Sequence, residues 1–235
     1  MDVRIGTSGW NYTEWRGSFY PKTMKPAGML AYYSERFRTV EVNNTFYRMP
    51  TAKAVQGWAA GVPAGFRFVL KAPQRITHFK RLKDVDELVR EFCDVARILG
   101  DKLGALLFQL PPNFKMDVGR LADLLVLLPG DLRAAFEFRN ATWFTAEVYA
   151  RLTGHNAALC IADNDDGATP AIATADWGYL RLRATGYTEH DLGDWLATIR
   201  RIGGQWRDAF VFFKHEDQGT GPAFGAKLAS LVESA

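Results

Sequence analysis

One pattern recurs along almost the whole chain: a short segment typical of a β-strand, then a segment whose apolar residues follow helical spacing. The strand segments are residues 3–8, 39–44, 67–71, 103–110, 134–139, 157–163, 179–183 and 210–214. The helical segments are residues 29–37, 52–60, 84–100, 119–128, 146–152, 188–202 and 223–232. No helix is predicted for residues 164–178, which are polar and rich in turn formers. Strands that alternate with helices in this way form parallel sheets.

Eight such strands predict an α/β fold, a single (β/α)8 TIM-type barrel in which residues 1–235 form one domain. About 250 residues are typical of this barrel, and the chain has 235. The alternative is an open doubly wound sheet, but the first strand is not followed by the Gly-rich loop with which that fold binds nucleotides. In a barrel the functional site is expected at the carboxyl ends of the strands.

The composition is that of a soluble globular protein, since 48% of the residues are hydrophobic and 23% are charged. The net charge of +3 is compatible with an anionic ligand and too small to indicate nucleic acid by itself. Cys93 and Cys160 lie in apolar segments and form no metal-binding spacing. Because the sequence contains neither a secretion signal nor a membrane span, we expect a cytoplasmic protein without a membrane partner. The oligomeric state is left open.

Several strands carry polar residues on the face that should line the barrel. In the second strand, Val40 and Val42 alternate with Glu41 and Asn43, which gives one apolar face and one polar face. The same alternation selects these interior positions near the carboxyl ends: Ser8, Glu41, Asn43, Lys71, Gln109, Glu137, Arg139, Asp163, Arg181 and Arg183. In the eighth strand the alternation is ambiguous, so either Lys214 and Glu216 or His215 joins the set.

The interior set contains more cations than anions. The cations are Lys71, Arg139, Arg181 and Arg183, and the anions are Glu41, Glu137 and Asp163. Buried charges are costly unless they are paired, so internal ion pairs that close the top of the barrel are one explanation. An anionic ligand is the other, because planar guanidinium groups bind phosphate and carboxylate through two parallel hydrogen bonds.

The aromatic residues divide into two groups. One group follows the strands in loops, and its members could stack on a sugar or a base or merely close the barrel mouth: Trp10, Tyr12, Trp15, Tyr47 and Trp143. The other group lies within strands and is interpreted as core: Phe136, Phe138, Phe210 and Phe212.

Metal chemistry has little support in the sequence. His78 and His215 are the two histidines predicted near the site, and two imidazoles are too few for a multinuclear zinc centre. A single Mg²⁺ on Asp163, Glu216 or Asp217 is an alternative. We predict no resident cofactor, and Ser8 has no identifiable base that would make it part of a hydrolase triad.

A combination of motifs is concentrated between residues 6 and 143. The motifs are GTSGW at 6–10, FYP at 19–21, VEVN at 40–43, TFYRMP at 45–50, KAP at 71–73, ITH at 76–78, LFQLPP at 107–112 and EFR at 137–139, followed by Trp143. Together they resemble the YecE-like family, also known as domain of unknown function 72. The resemblance implies a TIM-type barrel but no particular reaction.

The resemblance is weaker in the last two strands. Many members of the family follow the arginine of the seventh strand with His-Gly, whereas Arg181 is followed here by Leu182 and Arg183. Many members have an Asn-rich end to the eighth strand, where this chain has KHED at 214–217. The ligand of this chain is therefore not inferred from the family.

The leading functional hypothesis is an enzyme or a ligand-binding protein for a small anionic molecule, such as a phosphorylated or carboxylated sugar or a nucleotide fragment. In an enzyme, which would be a hydrolase or a lyase, Glu41 or Glu137 would be the general acid or base. The predicted substrate-binding residues are Trp10, Asn43, Tyr47, Lys71, His78, Gln109, Arg139, Trp143, Arg181 and Arg183.

Two alternatives belong to other classes. The aromatic loops and the basic mouth could bind nucleic acid, with or without phosphodiesterase activity. A catalytically silent scaffold would instead use Glu41 and Glu137 only for stability.

Overall fold

The computed structural model describes residues 1–234, which form a nearly closed barrel of eight parallel strands ringed by helices. The nine strands in chain order are β1 (Asp2–Thr7), β2 (Thr39–Val42), β3 (Arg67–Lys71), β4 (Leu103–Gln109), β5 (Ala134–Glu137), β6 (Ala158–Asn164), β7 (Gly167–Ala168), β8 (Gly178–Leu182) and β9 (Asp208–Phe213). The order around the barrel is β1-β9-β8-β6-β5-β4-β3-β2, and the two-residue β7 pairs antiparallel with the end of β6. The predicted (β/α)8 TIM-type barrel is confirmed.

The barrel closes where β1 meets β2. The contact is a parallel bridge between Ser8 and Glu41, supported by a hydrogen bond of 2.8 Å from the Gly9 amide to the Glu41 carbonyl oxygen. The two strands approach so closely that a Cβ atom on Gly6 would lie 2.2 Å from the carbonyl oxygen of Thr39. Only glycine fits at this position, because it has no Cβ.

Among residues 1–234, eight α-helices lie in the segments between and after the strands. They are α1 (Pro26–Ser34), α2 (Asn44–Tyr47), α3 (Ala52–Ala60), α4 (Asp86–Arg97), α5 (Val118–Leu127), α6 (Ala146–Gly154), α7 (Glu189–Ile202) and α8 (Thr220–Glu233). The starts of two helices follow from their sequence: Pro26 is the first residue of α1, and Thr188 forms a capping box with Asp191 at the start of α7.

Two local predictions need correction. The helix predicted from residue 84 begins at Asp86, because Asp84, with a φ of 51°, lies in the left-handed region and Val85 is the residue before the helix. The loop predicted after residue 45 begins with the single helical turn α2, and a π-helical turn, Arg75–Phe79, follows β3. Both turns lie at the carboxyl end of the barrel, where they cover part of the mouth.

Apolar residues form one layer between strands and helices and another layer inside the barrel. Phe136 and Phe138 belong to the outer layer, whereas Phe210 and Phe212 point inward, and all four are buried as predicted. The interior combines small and large side chains: Val69, Ala105, Leu107, Ala135, Ala158, Cys160, Ala162, Trp177, Tyr179, Phe210 and Phe212. This apolar filling ends below the carboxyl ends of the strands, where the interior becomes polar.

Within residues 1–234, no helix combines the length and the apolar character that crossing a membrane requires.

Candidate functional site

Arg181 lies at the centre of the polar layer and binds two carboxylates. It is fully buried, as are Glu41 and Glu137. One guanidinium nitrogen donates to Glu41 Oε1 at 2.8 Å, and the other donates to Glu137 Oε2. The internal ion pairs considered from the sequence therefore exist for this arginine, and we do not assign Arg181 to direct ligand binding.

Uncharged neighbours complete the hydrogen bonding of both carboxylates. Glu41 accepts hydrogen bonds from Ser8 Oγ at 2.8 Å and from Tyr179 Oη at 2.5 Å. Glu137 accepts one from Gln109 Nε2 at 2.7 Å. Each of these residues comes from a different strand or strand end, so the network ties the strands together around the barrel axis.

The two glutamates are ionised in this environment. Burial raises the pKa of Glu41, but Arg181 and the hydrogen bonds from Tyr179 and Ser8 outweigh burial and hold it below its usual value. Burial likewise opposes ionisation of Glu137, and nearby arginines outweigh it, so that its pKa is also lowered.

These lowered pKa values bear on the predicted acid–base role of the glutamates. A general acid needs a carboxyl group that keeps its proton near neutral pH, and an efficient general base needs a pKa near the working pH. Because both groups are fully buried, ionised and hydrogen-bonded, the geometry does not favour Glu41 or Glu137 as a general acid or base. It favours a structural role for both.

Arg139 and Arg183 lie above the network at the mouth of the barrel. Arg139 Nε donates to Glu137 Oε1 at 3.1 Å, and Arg183 reaches the same oxygen at 3.7 Å. The side chain of Arg139 is 32% exposed and that of Arg183 is 18% exposed. Glu137 is thus shared among three arginines, and the two upper ones retain surface that a ligand can contact.

Lys71 reaches the same polar layer from the end of β3. Its ammonium donates to Gln109 Oε1 at 2.8 Å and lies 4.1 Å from the centre of the Phe46 ring. The hydrogen-bond acceptor is an uncharged amide, so the positive charge is not directly neutralised. Burial, followed by the charge of Arg181, lowers the pKa of Lys71 to about 7.

The lowered pKa of Lys71 predicts a pH-dependent effect of the substitution Lys71→Met. The unfolded chain binds a proton at this lysine up to its ordinary pKa of 10.5, whereas the folded chain releases it near 7. The lysine therefore lowers the free energy of unfolding at low pH, and its contribution to stability rises with pH between these values. We expect the stability of wild type relative to K71M to increase by about 1–2 kcal/mol from pH 7 to pH 9.

Urea unfolding at both pH values measures this difference. The matched control is Lys53→Met, because Lys53 is exposed on α3 and its removal should shift stability equally at both pH values. Equal differences for K71M at pH 7 and pH 9 would contradict the assigned protonation of Lys71.

The structure resolves the ambiguous eighth strand, here β9. Because Phe210 and Phe212 face inward, Lys214 follows them on the inward side. It is exposed at the rim, where partial desolvation and the nearby Arg181 lower its pKa. His215 faces outward, where its Nε2 contacts the Ala184 carbonyl oxygen at 2.6 Å. Lys214 therefore adds a further cation to the mouth, and Glu216, whose charge acts on Lys214, adds an anion.

Asp163 does not join the interior set. The interior positions of β6 are Ala158, Cys160 and Ala162, which leaves Asp163 on the outer face of the strand. Its carboxylate accepts hydrogen bonds from Tyr187 Oη at 2.7 and 2.6 Å and from the Arg183 amide at 2.6 Å. The excess of cations over anions at the mouth is therefore larger than the sequence predicted.

Two aromatic residues from the predicted substrate-binding set are core residues. Trp143 is fully buried, stacks on Phe138 at 4.7 Å and donates its indole N–H to the Phe114 carbonyl oxygen at 2.7 Å. Trp10 is 8% exposed and packs edge-on against Trp58. Trp143 cannot contact a ligand in this position, and we remove it from the site.

Three other predicted site residues lie on the segments that follow β2 and β3. Tyr47 is 73% exposed at the end of α2. His78 lies 4.8 Å from Phe46, and burial, then the charges of Lys71 and Arg139, lower its pKa to about 4. Asn43 is partly buried, and its side-chain oxygen is enclosed without a hydrogen-bond partner among the described residues. His78 is thus a neutral imidazole at pH 7.

No group of three or more His, Cys, Asp or Glu side chains suited to hold a metal ion occurs in the described part of the chain.

A cavity of about 650 Å³ opens at the carboxyl ends of β5, β6 and β8. Its lining includes Pro112, Glu137, Arg139, Asn164, Thr169 and Arg183. The β6–β7 hairpin forms one wall, with Asp166 at its tip. The cavity is large enough for a small molecule, and two cations of the mouth line it.

A second cavity, of about 640 Å³, lies at the opposite end of the barrel. Three of its arginines are paired with carboxylates: Arg133 with Asp208, Arg97 with Asp131 and Arg4 with Asp2, each at 2.8 Å. Because barrel sites lie at the carboxyl ends of the strands, we place the functional site in the first cavity.

Sequence reasoning did not assign Tyr179 and Phe46 to the site. Tyr179 precedes the inward Arg181 by two residues, so strand alternation could have identified it as a neighbour of Glu41. Phe46 lies on the short helix α2, and no periodic pattern marks a four-residue helix.

A family model for a protein of unknown function, DUF72, matches residues 4–235. This match covers nearly the whole chain. The chain belongs to the DUF72 family. The resemblance to YecE-like proteins that the sequence motifs indicated is confirmed.

Named relatives and solved structures of the DUF72 family agree with this assignment. The UPF0759 protein YunF of Bacillus subtilis is 24% identical over 98% of this chain and 95% of its own length. The UPF0759 protein YecE of Escherichia coli K12 is 29% identical over 60% of this chain and 50% of its own length. A DUF72 protein of Thermotoga maritima, 26% identical, superposes with a TM-score of 0.87 over 99% of this chain and all of its own. One from Enterococcus faecalis, 19% identical, superposes with a TM-score of 0.79 over 99% of this chain and 98% of its own, which supports the fold alone.

In this DUF72 barrel, the motifs of the first half lie at the mouth. Four motifs lie at the carboxyl ends of β2, β3, β4 and β5 and supply the groups that surround Arg181: residues 40–43, 71–73, 107–112 and 137–139. The motifs that resemble the family therefore largely contain the residues of the polar layer and the strand ends that carry them.

Proposed function

We propose that the protein binds a small anionic molecule at the mouth of the barrel, as an enzyme or as a ligand-binding protein. Phosphorylated or carboxylated sugars and nucleotide fragments fit this description. The observation that carries the proposal is the charge balance: three arginines, Arg139, Arg181 and Arg183, share the two carboxylates of Glu41 and Glu137. Lys71 lies beside them and donates to an uncharged amide. Lys214 and Glu216 add one charge of each sign and leave this excess of positive charge unchanged.

The two upper arginines are the proposed anion-binding groups. Arg181 already satisfies two buried carboxylates, whereas Arg139 and Arg183 share Glu137 and line the cavity. The Nε atom of Arg183 is enclosed without a hydrogen-bond acceptor among the described residues. A phosphate or carboxylate group between the two guanidinium groups would supply acceptors and neutralise the charge.

The remaining predicted residues take secondary roles in this proposal. Gln109 and Asn43 orient groups at the base of the mouth, while Lys71 and His78 lie beside the ligand. Tyr47, which is exposed on the rim, packs on its uncharged part. Trp10 supports the first loop from below.

A thermal-shift screen of phosphate esters, sugar acids, neutral sugars and oligonucleotides tests the proposal. A ligand that binds only the folded chain raises its melting temperature. We expect anionic compounds to raise it and their neutral counterparts to leave it unchanged. In the variant R139Q/R183Q the shift caused by the anion should disappear, because charge-assisted hydrogen bonds of about 1.5–3 kcal/mol each are lost.

The matched control removes the same charge elsewhere. R90Q/R200Q neutralises two exposed arginines on α4 and α7 and should keep the full shift. An equal response of both double variants to the best anion would argue against a site at the mouth.

Nucleic acid is a second candidate, supported by exposed aromatic rings near the basic mouth. Tyr47 and Phe79 are 73% and 70% exposed, on the turns that follow β2 and β3. Such rings stack on bases in single strands. This candidate predicts that oligonucleotides give the largest shift in the screen and that the shift falls steeply with salt. Binding of small anions without response to oligonucleotides would exclude it.

A further inference from the structure

The amine of Lys71 is buried beside an uncharged partner, which anion binding alone does not require. It is a primary amine at the carboxyl end of an inward-facing strand, buried to 8% exposure, with an uncharged amide as its hydrogen-bond partner. A lysine that only attracts an anion works best when it is fully charged, as an exposed lysine would be. Burial and the charge of Arg181 lower the pKa of Lys71 to about 7, so a substantial fraction of the amine is neutral at pH 7, and a neutral amine is a nucleophile.

The neighbours of the amine fit this second role. The Phe46 ring, 4.1 Å away, shields Nζ from solvent on one side. Burial and the charge of Arg181 disfavour protonation of Nζ and outweigh the opposing effect of Glu41 and Glu137, which are both paired with Arg181. The Lys71 ammonium and Arg139 both lower the pKa of His78, so the three side chains share one part of the mouth.

We propose that Lys71 forms an imine with the carbonyl group of a small anionic aldehyde, ketone or keto acid. This inference rests on the proposed function, since the anionic part of the same molecule is held by Arg139 and Arg183. The substrate class is thereby narrowed to anionic carbonyl compounds, such as keto acids and the open-chain forms of sugar phosphates.

The chemical step is a condensation without change of oxidation state. The lone pair of the neutral Nζ attacks the carbonyl carbon, the nitrogen loses one proton and the carbonyl oxygen takes one up, which gives a carbinolamine. The hydroxyl group then takes up a second proton, the carbon–oxygen bond breaks and the oxygen leaves as water, and the nitrogen loses its last proton. One amine and one carbonyl compound give one imine and one water.

Trapping with borohydride tests the proposal on the intact wild-type chain. The protein is incubated at pH 7 with pyruvate or with dihydroxyacetone phosphate, sodium borohydride is added, and the intact mass and the peptide map are measured. Borohydride delivers hydride to the imine carbon and leaves a stable secondary amine. We expect a single adduct per chain, heavier by the mass of the carbonyl compound less one oxygen atom, and located on Lys71.

Controls separate this reaction from general labelling of lysines. Lys53 is exposed and serves as the internal reference in the same peptide map. Lys71→Arg keeps a positive charge but cannot form an imine, so the adduct should be lost while circular dichroism confirms the fold. Because the wild-type map itself locates the adduct, the result does not depend on the folding of the variant.

The outcomes distinguish this inference from the proposed function. An adduct on Lys71 that also requires Arg139 and Arg183 supports both. Anions that raise the melting temperature, with no adduct from either carbonyl compound or with labelling no greater than at Lys53, overturn the imine and leave anion binding intact. An adduct on Lys71 whose yield is unchanged in R139Q/R183Q overturns the anionic substrate class.

Discussion

Replacement of Arg181 by methionine should destabilise the protein by about 3–5 kcal/mol, because it leaves two fully buried carboxylates without their shared cation. This is a large part of the total stability of a typical domain. Gln109 and Arg139 would still contact Glu137, but Glu41 would keep only the hydroxyl groups of Ser8 and Tyr179. Urea unfolding at neutral pH measures the loss.

Two further variants show whether uncompensated charge is the cause. The triple variant R181M/E41Q/E137Q removes the charges together and should recover much of the stability. Arg139→Met, at a residue whose side chain is 32% exposed, should cost far less than R181M. In R181M alone, burial would raise the pKa of both carboxyls. The difference in stability between R181M and wild type should therefore shrink as the pH falls toward 5. Equal costs for R181M and R139M would refute the central role of Arg181.

Replacement of Gly6 by alanine should have the second large effect, a loss of about 3 kcal/mol. The new Cβ would lie 2.2 Å from the Thr39 carbonyl oxygen, so β1 and β2 must separate. Their separation would break the Ser8–Glu41 bridge and the hydrogen bond from the Gly9 amide. Chemical denaturation measures the stability, and hydrogen exchange at the Gly9 amide reports the opening of the seam.

The control for this substitution is another glycine. Gly57 lies within α3, and a Cβ there would meet nothing within 4 Å. Gly57→Ala should stabilise the protein by about 0.5–1 kcal/mol, because alanine loses less conformational freedom on folding. If both substitutions change the free energy of unfolding in the same direction, the close contact at Gly6 does not govern closure of the barrel.

The barrel could be predicted from the sequence because strand alternation has an exact period of two and repeats eight times. The same alternation brought Glu41, Lys71 and Arg181 to one interior layer, where the structure places them. The eighth strand was ambiguous because phenylalanines occupy both of its faces, and only their packing shows that Phe210 and Phe212 point inward.

Pairing and burial at the mouth could not be predicted in the same way. The partners of Arg181 lie 140 and 44 residues away along the chain, so no local pattern connects them. Trp143 follows a strand, as a ligand-contacting residue would, but the turn Ala141–Trp143 folds its ring onto Phe138. Asp163 was predicted to face inward and lies outward instead, because β6 is apolar on both faces from Ala158 to Ala162 and its alternation does not show which face lines the barrel.

Calorimetric titration of the best anion from the screen into wild type and R139Q/R183Q tests the central claim most directly. We predict that wild type binds the anion and that the affinity falls roughly ten- to hundredfold for each arginine lost. The affinity of R90Q/R200Q should equal that of wild type. Equal affinity in wild type and R139Q/R183Q would contradict an anion site at the mouth of the barrel.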